Sequence, residues 1–383
     1  MNPDGTPTRI RVLSDEHPTA ATPTPATRQR PATRFAAVVA IPHLLGERCV
    51  HARIETASCR ACVEACPRGA WIIDDQKVGI DTGACDGCDL CVPACPEGAI
   101  TSDRQRASDI MLWRDQPSVF RACEYAGVPD QTGRIPCLHA IGPNELLRLY
   151  RRGATGWVTS AAPCETCPRG RTQRLQDSIR QVNALLISRS LQPLSLTVLK
   201  PDAWSDSLRW ATPYQAETVL TRRRFFRKAL ELAVDTASEA TANAAGPEAK
   251  FIAATTGLPV TGANDIYLYQ PHIDPQQCNG CDACVRLCPH QAILLERSAE
   301  SWRYRLVAEQ CTGCGICRDA CDQHAISLDA LQTRQAPTVD LIAGRCTACG
   351  APYHAPATYP ITDRRCRICT RTRHTRLLYQ VLE

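Results

Sequence analysis

The sequence predicts an α+β protein in which two cysteine-rich modules of one architecture flank a small α/β domain, with a short four-cysteine segment at the C-terminal end. Three observations predict it. The 24 cysteines of the 383-residue chain fall into blocks of eight, four, eight and four. The two blocks of eight repeat one spacing pattern, the mark of a duplicated unit. Between them, apolar residues switch between strand-like runs and helical spacing.

Composition narrows the chemistry. Hydrophobic residues make up 44% and charged residues 22%, enough to bury a core, while aromatics reach only 5%. No apolar run approaches the roughly 18 residues of a membrane helix. Cysteine-dense disulfide scaffolds are ordinarily short and secreted. Residues 1–34 are rich in Pro, Thr and Arg and hold no apolar segment, so no secretory signal is expected there and a cytoplasmic location is. Metal ligation is therefore the expected use of the cysteines.

The expected order is a disordered arm (1–34), a first module (35–105), an α/β domain (106–200), a helix and linker (201–265), a second module (266–335) and a tail (336–383). The second module reads Cys278-x2-Cys281-x2-Cys284-x3-Cys288-Pro289, then Cys311-x2-Cys314-x2-Cys317-x3-Cys321-Asp322. Three cysteines spaced three apart wrap one cubic iron–sulfur cluster, and the fourth reaches the other cube. Cys278, Cys281, Cys284 and Cys321 form one expected ligand set, and Cys311, Cys314, Cys317 and Cys288 the other. Gly280, Gly313 and Gly315 suit the tight backbone around a cluster. A strand is expected over 292–296.

The first module is similar but altered. Its second half is regular, Cys85-x2-Cys88-x2-Cys91-x3-Cys95-Pro96, whereas its first half reads Cys59-x2-Cys62-x3-Cys66-Pro67. Regular spacing places the missing ligand at Thr56. Cys49, seven residues upstream, is expected to replace it on a longer loop. Cys49, Cys59, Cys62 and Cys95 would then form one set, and Cys85, Cys88, Cys91 and Cys66 the other. The alternative is a 3Fe–4S or labile cluster without Cys49.

These two runs resemble the bacterial two-cluster ferredoxin family. The resemblance implies two ferredoxin-like modules with four 4Fe–4S clusters in all, each fold a duplicated hairpin-and-helix unit, and one-electron transfer as the activity.

In the middle, Cys123, Cys137, Cys164 and Cys167 lie among alternating elements. A strand is expected over 134–138 and another over 156–160. A helix over 143–152 begins on Pro143, turns Leu146, Leu147 and Tyr150 to one face and stops at Gly153. A helix over 171–187 carries Leu175, Ile179, Val182, Leu185 and Leu186 at amphipathic spacing, followed by a strand over 194–199. Cys137 and Cys164 thus fall at strand ends, where α/β folds place their sites. The stretch Cys123, Arg134-Ile135-Pro136-Cys137, 144–153, Gly156-Trp157-Val158 and Cys164–Cys167 looks like the delta-subunit family of methyl-viologen-reducing hydrogenases. That likeness implies a 2Fe–2S cluster and partners of the hydrogenase, formate dehydrogenase or heterodisulfide-reductase kind. A zinc site and a redox-active Cys164/Cys167 dithiol are the alternatives. His139 reads as a solvated or core residue.

Cys346-x2-Cys349-x16-Cys366-x2-Cys369 has zinc-ribbon spacing, with Gly350 at the knuckle. Zinc, or a single iron as in rubredoxins, fits four thiolates. His354 and His374 read as surface residues. Arg364, Arg365, Arg367, Arg371, Arg373 and Arg376 make the tail basic, which reads as a dock for an acidic protein partner rather than for nucleic acid. The run Arg222, Arg223, Arg224, Phe225, Phe226 resembles a twin-arginine export signal, but no apolar segment follows. It reads as a basic amphipathic helix with Phe225, Phe226 and Leu230 on its packing face.

No G-x-G-x-x-G follows a strand, so nicotinamide and flavin sites are not indicated. An electron relay inside a larger oxidoreductase complex is the leading expectation. A thiol/disulfide or sulfur-handling enzyme built on the middle domain is the second. The formal charge of +5 treats every cysteine as neutral. Four loaded cubes at about −2 each bring it to about −3.

Overall fold

Residues 10–12, 40–74, 78–103, 109–129, 132–169, 173–215, 251–298, 301–333, 337–359 and 364–372 are described by a computed structural model. The 222–230 segment, the 235–250 linker, His374, Arg373 and Arg376 lie outside the described residues. Three residues of the expected arm form strand β1 (Ile10–Val12), so 1–34 is not wholly without structure.

The first module is built from two short, similar halves. Strand β2 (His43–Leu44), helix α1 (Ala61–Ala65), strands β3 (Trp71–Ile73) and β4 (Val78–Ile80), helix α2 (Cys91–Ala94) and strand β5 (Ile100–Thr101) follow in order. Strands β2 and β5 pair antiparallel, as do β3 and β4. Trp71, Cys91 and Ile100 are buried at its centre against Val63, Val78 and Ile80. So small a core is marginal for a unit of this size.

The middle domain opens on a hairpin of β6 (Ile110–Trp113) and β7 (Gln116–Cys123). Its two-residue turn, Arg114-Asp115, has both φ angles positive, the primed geometry that matches strand twist. Then come β8 (Arg134–Ile135), α3 (Pro143–Arg151), β9 (Gly156–Ser160), α4 (Arg174–Ile187), β10 (Ser195–Val198), α5 (Pro201–Trp210) and β11 (Thr212–Pro213). The sheet runs β1-β10-β9-β7-β6-β11, with β8 paired to β7. Strands β1, β10, β9 and β7 are parallel. All five residues of β9 are buried, as a parallel strand covered on both faces requires. On α3 the buried face is Leu146, Leu147 and Leu149, with Leu149 in the place expected for Tyr150. The domain also runs past residue 200: α5 packs Trp204 inward, and its Nε1–H donates to the Val158 carbonyl at 3.0 Å.

The second module and the tail share one sheet. Strand β12 (Ile266–Ile273) leads to α6 (Ala283–Leu287), β13 (Ile293–Arg297), β14 (Trp302–Leu306), α7 (Ile316–Asp319), β15 (Ile326–Thr333), β16 (Thr338–Arg345), β17 (Pro352–Pro356) and α8 (Arg367–Arg371). Strands β12 and β15 pair antiparallel. The order β13-β14-β16-β17 carries the sheet across residue 336, so the expected boundary there is not a structural break.

Arg189 locks the middle domain to the second module. It is 3% exposed, donates to the carbonyls of Pro259 and Ile266, and lies over the Tyr267 ring. No helix among the described residues is long and apolar enough to cross a membrane.

Candidate metal centres

Four cavities in the two modules are each lined by four cysteines. Cys49, Cys59, Cys62 and Cys95 line the first. Cys66, Cys85, Cys88 and Cys91 line the second. Cys288, Cys311, Cys314 and Cys317 line the third, and Cys278, Cys281, Cys284 and Cys321 the fourth. In each, three cysteines come from one loop and helix start, and one crosses from the other half of the module. In the first cavity the long loop does bring Cys49 in, on two 3-10 turns (Gly46–Arg48 and Val50–Ala52). Thr56 stands away from it, with its hydroxyl donating to the Asp319 carbonyl.

The backbone treats the sulfurs as hydrogen-bond acceptors, and does so repeatedly. The crossing cysteines Cys66, Cys95, Cys288 and Cys321 accept N–H groups from Ala70, Ala99, Ala292 and Ala325 at 3.2–3.4 Å. Cys321 keeps this turn although Asp322 replaces the proline found at the other three. Leading cysteines accept from the second residue on: Cys85 from Gly87, Cys278 from Gly280 and Cys311 from Gly313. Those glycines have φ of +64°, +71° and +75°, the left-handed region that lets the amide turn back on the sulfur. Amide N–H groups aimed at sulfur favour a thiolate and tune an iron–sulfur cluster. Burial alone works the other way: it pushes the Cys62, Cys88, Cys91, Cys311 and Cys317 thiols up to about 12. Bare, these sites hold protons; a cationic iron–sulfur core displaces them. The donor sets therefore fit cubic clusters.

The middle four cysteines converge at the carboxyl ends of β7, β8 and β9. Cys123 ends β7 and accepts the Tyr125 N–H at 3.3 Å. Cys137 follows β8 and is pushed up to about 11 by burial, with Cys123 and Cys167 adding to the effect. Cys164 and Cys167 bound a single 3-10 turn just past β9 and are half-buried. Cys164 lies 3.3 Å from His139 Nε2. The other ring nitrogen, Nδ1, accepts the Leu175 N–H at 3.2 Å, so the neutral ring carries its proton on Nε2 and donates it to sulfur. Burial holds the His139 pKa below its ordinary value, which keeps the ring neutral. His139 is thus a core residue with a specific partner; a solvated position is excluded by its 6% exposure.

Arg169 ties this site to the second cavity. Its guanidinium meets Asp86 and Glu124 at 3.4 and 3.1 Å and donates to the carbonyls of Asp86 and Pro136. Asp86 lies between Cys85 and Cys88, and Pro136 precedes Cys137. Cys88 and Cys137 are buried in one apolar cluster with Leu90 and Ala140. Sequence reasoning missed Arg169, and its position two residues after Cys167 was the one available signal.

At the C-terminal end, Cys346, Cys349, Cys366 and Cys369 have their sulfurs within 4.8 Å of one another. Among the described residues only this set is so tight, and the Cys349–Cys366 separation is 3.9 Å. Tetrahedral Zn–S bonds of about 2.3 Å place sulfurs about 3.8 Å apart. The Cys366 N–H donates to Cys346 at 3.2 Å and lowers that thiol to about 6. A single tetrahedral ion fits this set. His354 is no surface residue: its side chain is 9% exposed, and Nε2 meets Asp282 Oδ1 at 2.8 Å beside the Tyr304 hydroxyl. It therefore fixes β17 to the loop between Cys281 and Cys284. Arg364, Arg365, Arg367 and Arg371 are exposed, with Arg371 Nη1 3.5 Å from Asp322.

Residues 56–100 and 277–326 match a 4Fe-4S dicluster domain family, and residues 310–355 match a second family with the same description. The first match begins seven residues after Cys49. No curated protein matches the chain. The chain carries two 4Fe-4S dicluster domains of the ferredoxin kind, within a mixed helix-and-sheet fold.

Proposed function

Starting from an iron–sulfur electron-transfer protein, we propose that the chain is a polyferredoxin relay with up to six metal centres inside a larger redox complex. The observation that carries this reading is the set of four cavities, each lined by cysteines from both halves of its module. The four sets would each hold a 4Fe–4S cluster, which supplies reversible one-electron chemistry. Cys123, Cys137, Cys164 and Cys167 would hold a 2Fe–2S cluster, on the middle domain's resemblance to the hydrogenase delta-subunit family. Cys346, Cys349, Cys366 and Cys369 would hold zinc, or one iron, as a structural site.

Two features of this chain support a relay. The modules surround their sulfurs with apolar residues and amide N–H groups. The second cavity and the middle site meet through Cys88 and Cys137. Redox partners of the hydrogenase, formate dehydrogenase or heterodisulfide-reductase kind are proposed on the middle domain's resemblance. Anaerobic isolation of the native complex, with iron, sulfide and zinc counted per chain, tests the reading. Four cubes require about 16 irons, and fewer than about 12 contradicts them.

One observation favours a second reading, a thiol/disulfide or sulfur-handling enzyme. His139 donates a hydrogen bond to Cys164, which is half-buried and paired with Cys167 across one turn. That hydrogen bond would favour the Cys164 thiolate, against burial, which raises the thiol above its ordinary value. Iodoacetamide separates the two: fast alkylation of Cys164 in metal-loaded protein supports the enzyme, and full protection supports ligation.

A further inference from the structure

Glu97 belongs to both modules. Its backbone N–H donates to the sulfur of Cys95, and both residues line the first cavity. Its carboxylate crosses to the other module. Oε1 accepts the Thr312 hydroxyl at 2.7 Å, and both oxygens lie 2.9–3.0 Å from His290 Nε2. Thr312 and His290 line the third cavity. Each of the three residues sits in a ligand turn: Glu97 after Cys95-Pro96, His290 after Cys288-Pro289, and Thr312 beside Cys311.

The seam is closed to water. Glu97 is 3% exposed, and His290 and Thr312 are each 7% exposed. Gly98, at φ +55°, lies so close under the Phe251 ring that a Cβ there would be 2.3 Å from it. The same ring meets His290 edge to face. At the rim, Asp319 beside Cys317 accepts the Ser58 N–H and hydroxyl, both at 2.8 Å.

We propose that Glu97, bridged to Thr312 and His290, is the positioning residue that joins the first and third cavities into one electron path and places a shared negative charge between them. This rests on the four-cluster reading above. The step it serves makes and breaks no bond: one electron leaves one centre and enters the other, so one is oxidised as the other is reduced. With Cys88 against Cys137 at the far side of the first module, the path would run from the middle site through all four cavities in turn.

The test uses the anaerobically loaded full chain. Iron is counted first; a wild-type shortfall below about 12 per chain speaks against the clusters themselves, and not against the bridge. Glu97→Gln keeps the shape and the acceptor oxygen but removes the charge. A buried negative charge disfavours the reduced, more negative cluster. The expected result is an upward shift in the midpoint potentials of two clusters together, with the other two unmoved. A shift in one cluster only, in all four, or in none overturns the proposal. Thr312→Val approaches the same bond from the opposite module and is expected to weaken the magnetic interaction between the modules in the fully reduced protein at unchanged iron content. An unaltered spectrum at full iron content likewise overturns it.

Discussion

Replacing Arg169 by Met should loosen one joint of the molecule without unfolding the rest. The side chain keeps its apolar stem volume and loses the guanidinium. Two charge-assisted contacts disappear, to Asp86 at 3.4 Å and Glu124 at 3.1 Å, along with carbonyl bonds to Asp86 and Pro136. At full strength each charged bond is worth about 1.5–3 kcal/mol. Both acids have other recourse: the Glu124 side chain is 46% exposed, and Asp86 keeps Arg68 at 3.2 Å. The penalty for stranding them is therefore partial, and about 2–3 kcal/mol of local stability should be lost. That corresponds to a roughly 30- to 150-fold rise in local opening. Amide hydrogen exchange in metal-loaded protein reads this directly. Protection should fall by that factor over 134–140, while the β13–β14 hairpin is unaffected. Unchanged protection at 134–140, or equal loss everywhere, would refute the assignment of Arg169 as the local tie. Arg169→Lys, which retains a single charged contact, should fall between the two.

Cys49→Ala should lower iron by about four per chain, and an unchanged count would return Cys49 to a role outside the ligands. Gly280→Ala would place a Cβ 2.1 Å from the His354 carbonyl at φ +71°. It should cost at least about 2 kcal/mol and lift β17 from the fourth cavity, read as a lower midpoint of thermal unfolding; an unaltered midpoint counts against that packing. Removing the C-terminal metal with a chelator should release one zinc, leave the iron count and visible absorbance intact, and raise hydrogen exchange in 364–372 more than in β16, which the sheet holds.

The cysteine groupings that line the four cavities were legible because such a grouping is a local geometry written in spacing. Three sulfurs on one loop and one from the next helix end require only short-range order. Helices α3 and α4 were legible through Pro143, Gly153 and the buried stripe from Leu175 to Leu186. The hairpin of β6 and β7 was hidden because Arg114 and Asp115, not Asn-Gly, take its positive φ angles. The boundary at 336 was misplaced because cysteine spacing was read as domain spacing. Strand β16 offers one buried residue, Leu341, and so no alternation to mark it as part of a sheet. Strand β17 begins and ends on proline and reads as a loop, which concealed His354. Glu97, His290 and Arg169 were unreadable for another reason: their partners lie 193 and 83 residues away, and nothing local announces a contact at that range.

The bond from Thr312 to Glu97 spans 215 residues, and that from Ser58 to Asp319 spans 261. Contacts so distant in sequence repay the entropy of loop closure only once the surfaces they join are already rigid. On the four-cluster reading each surface is a ligand turn that metal would set. The seam would then close only after both modules are loaded, and loss of iron from either would open Glu97 and His290 to solvent.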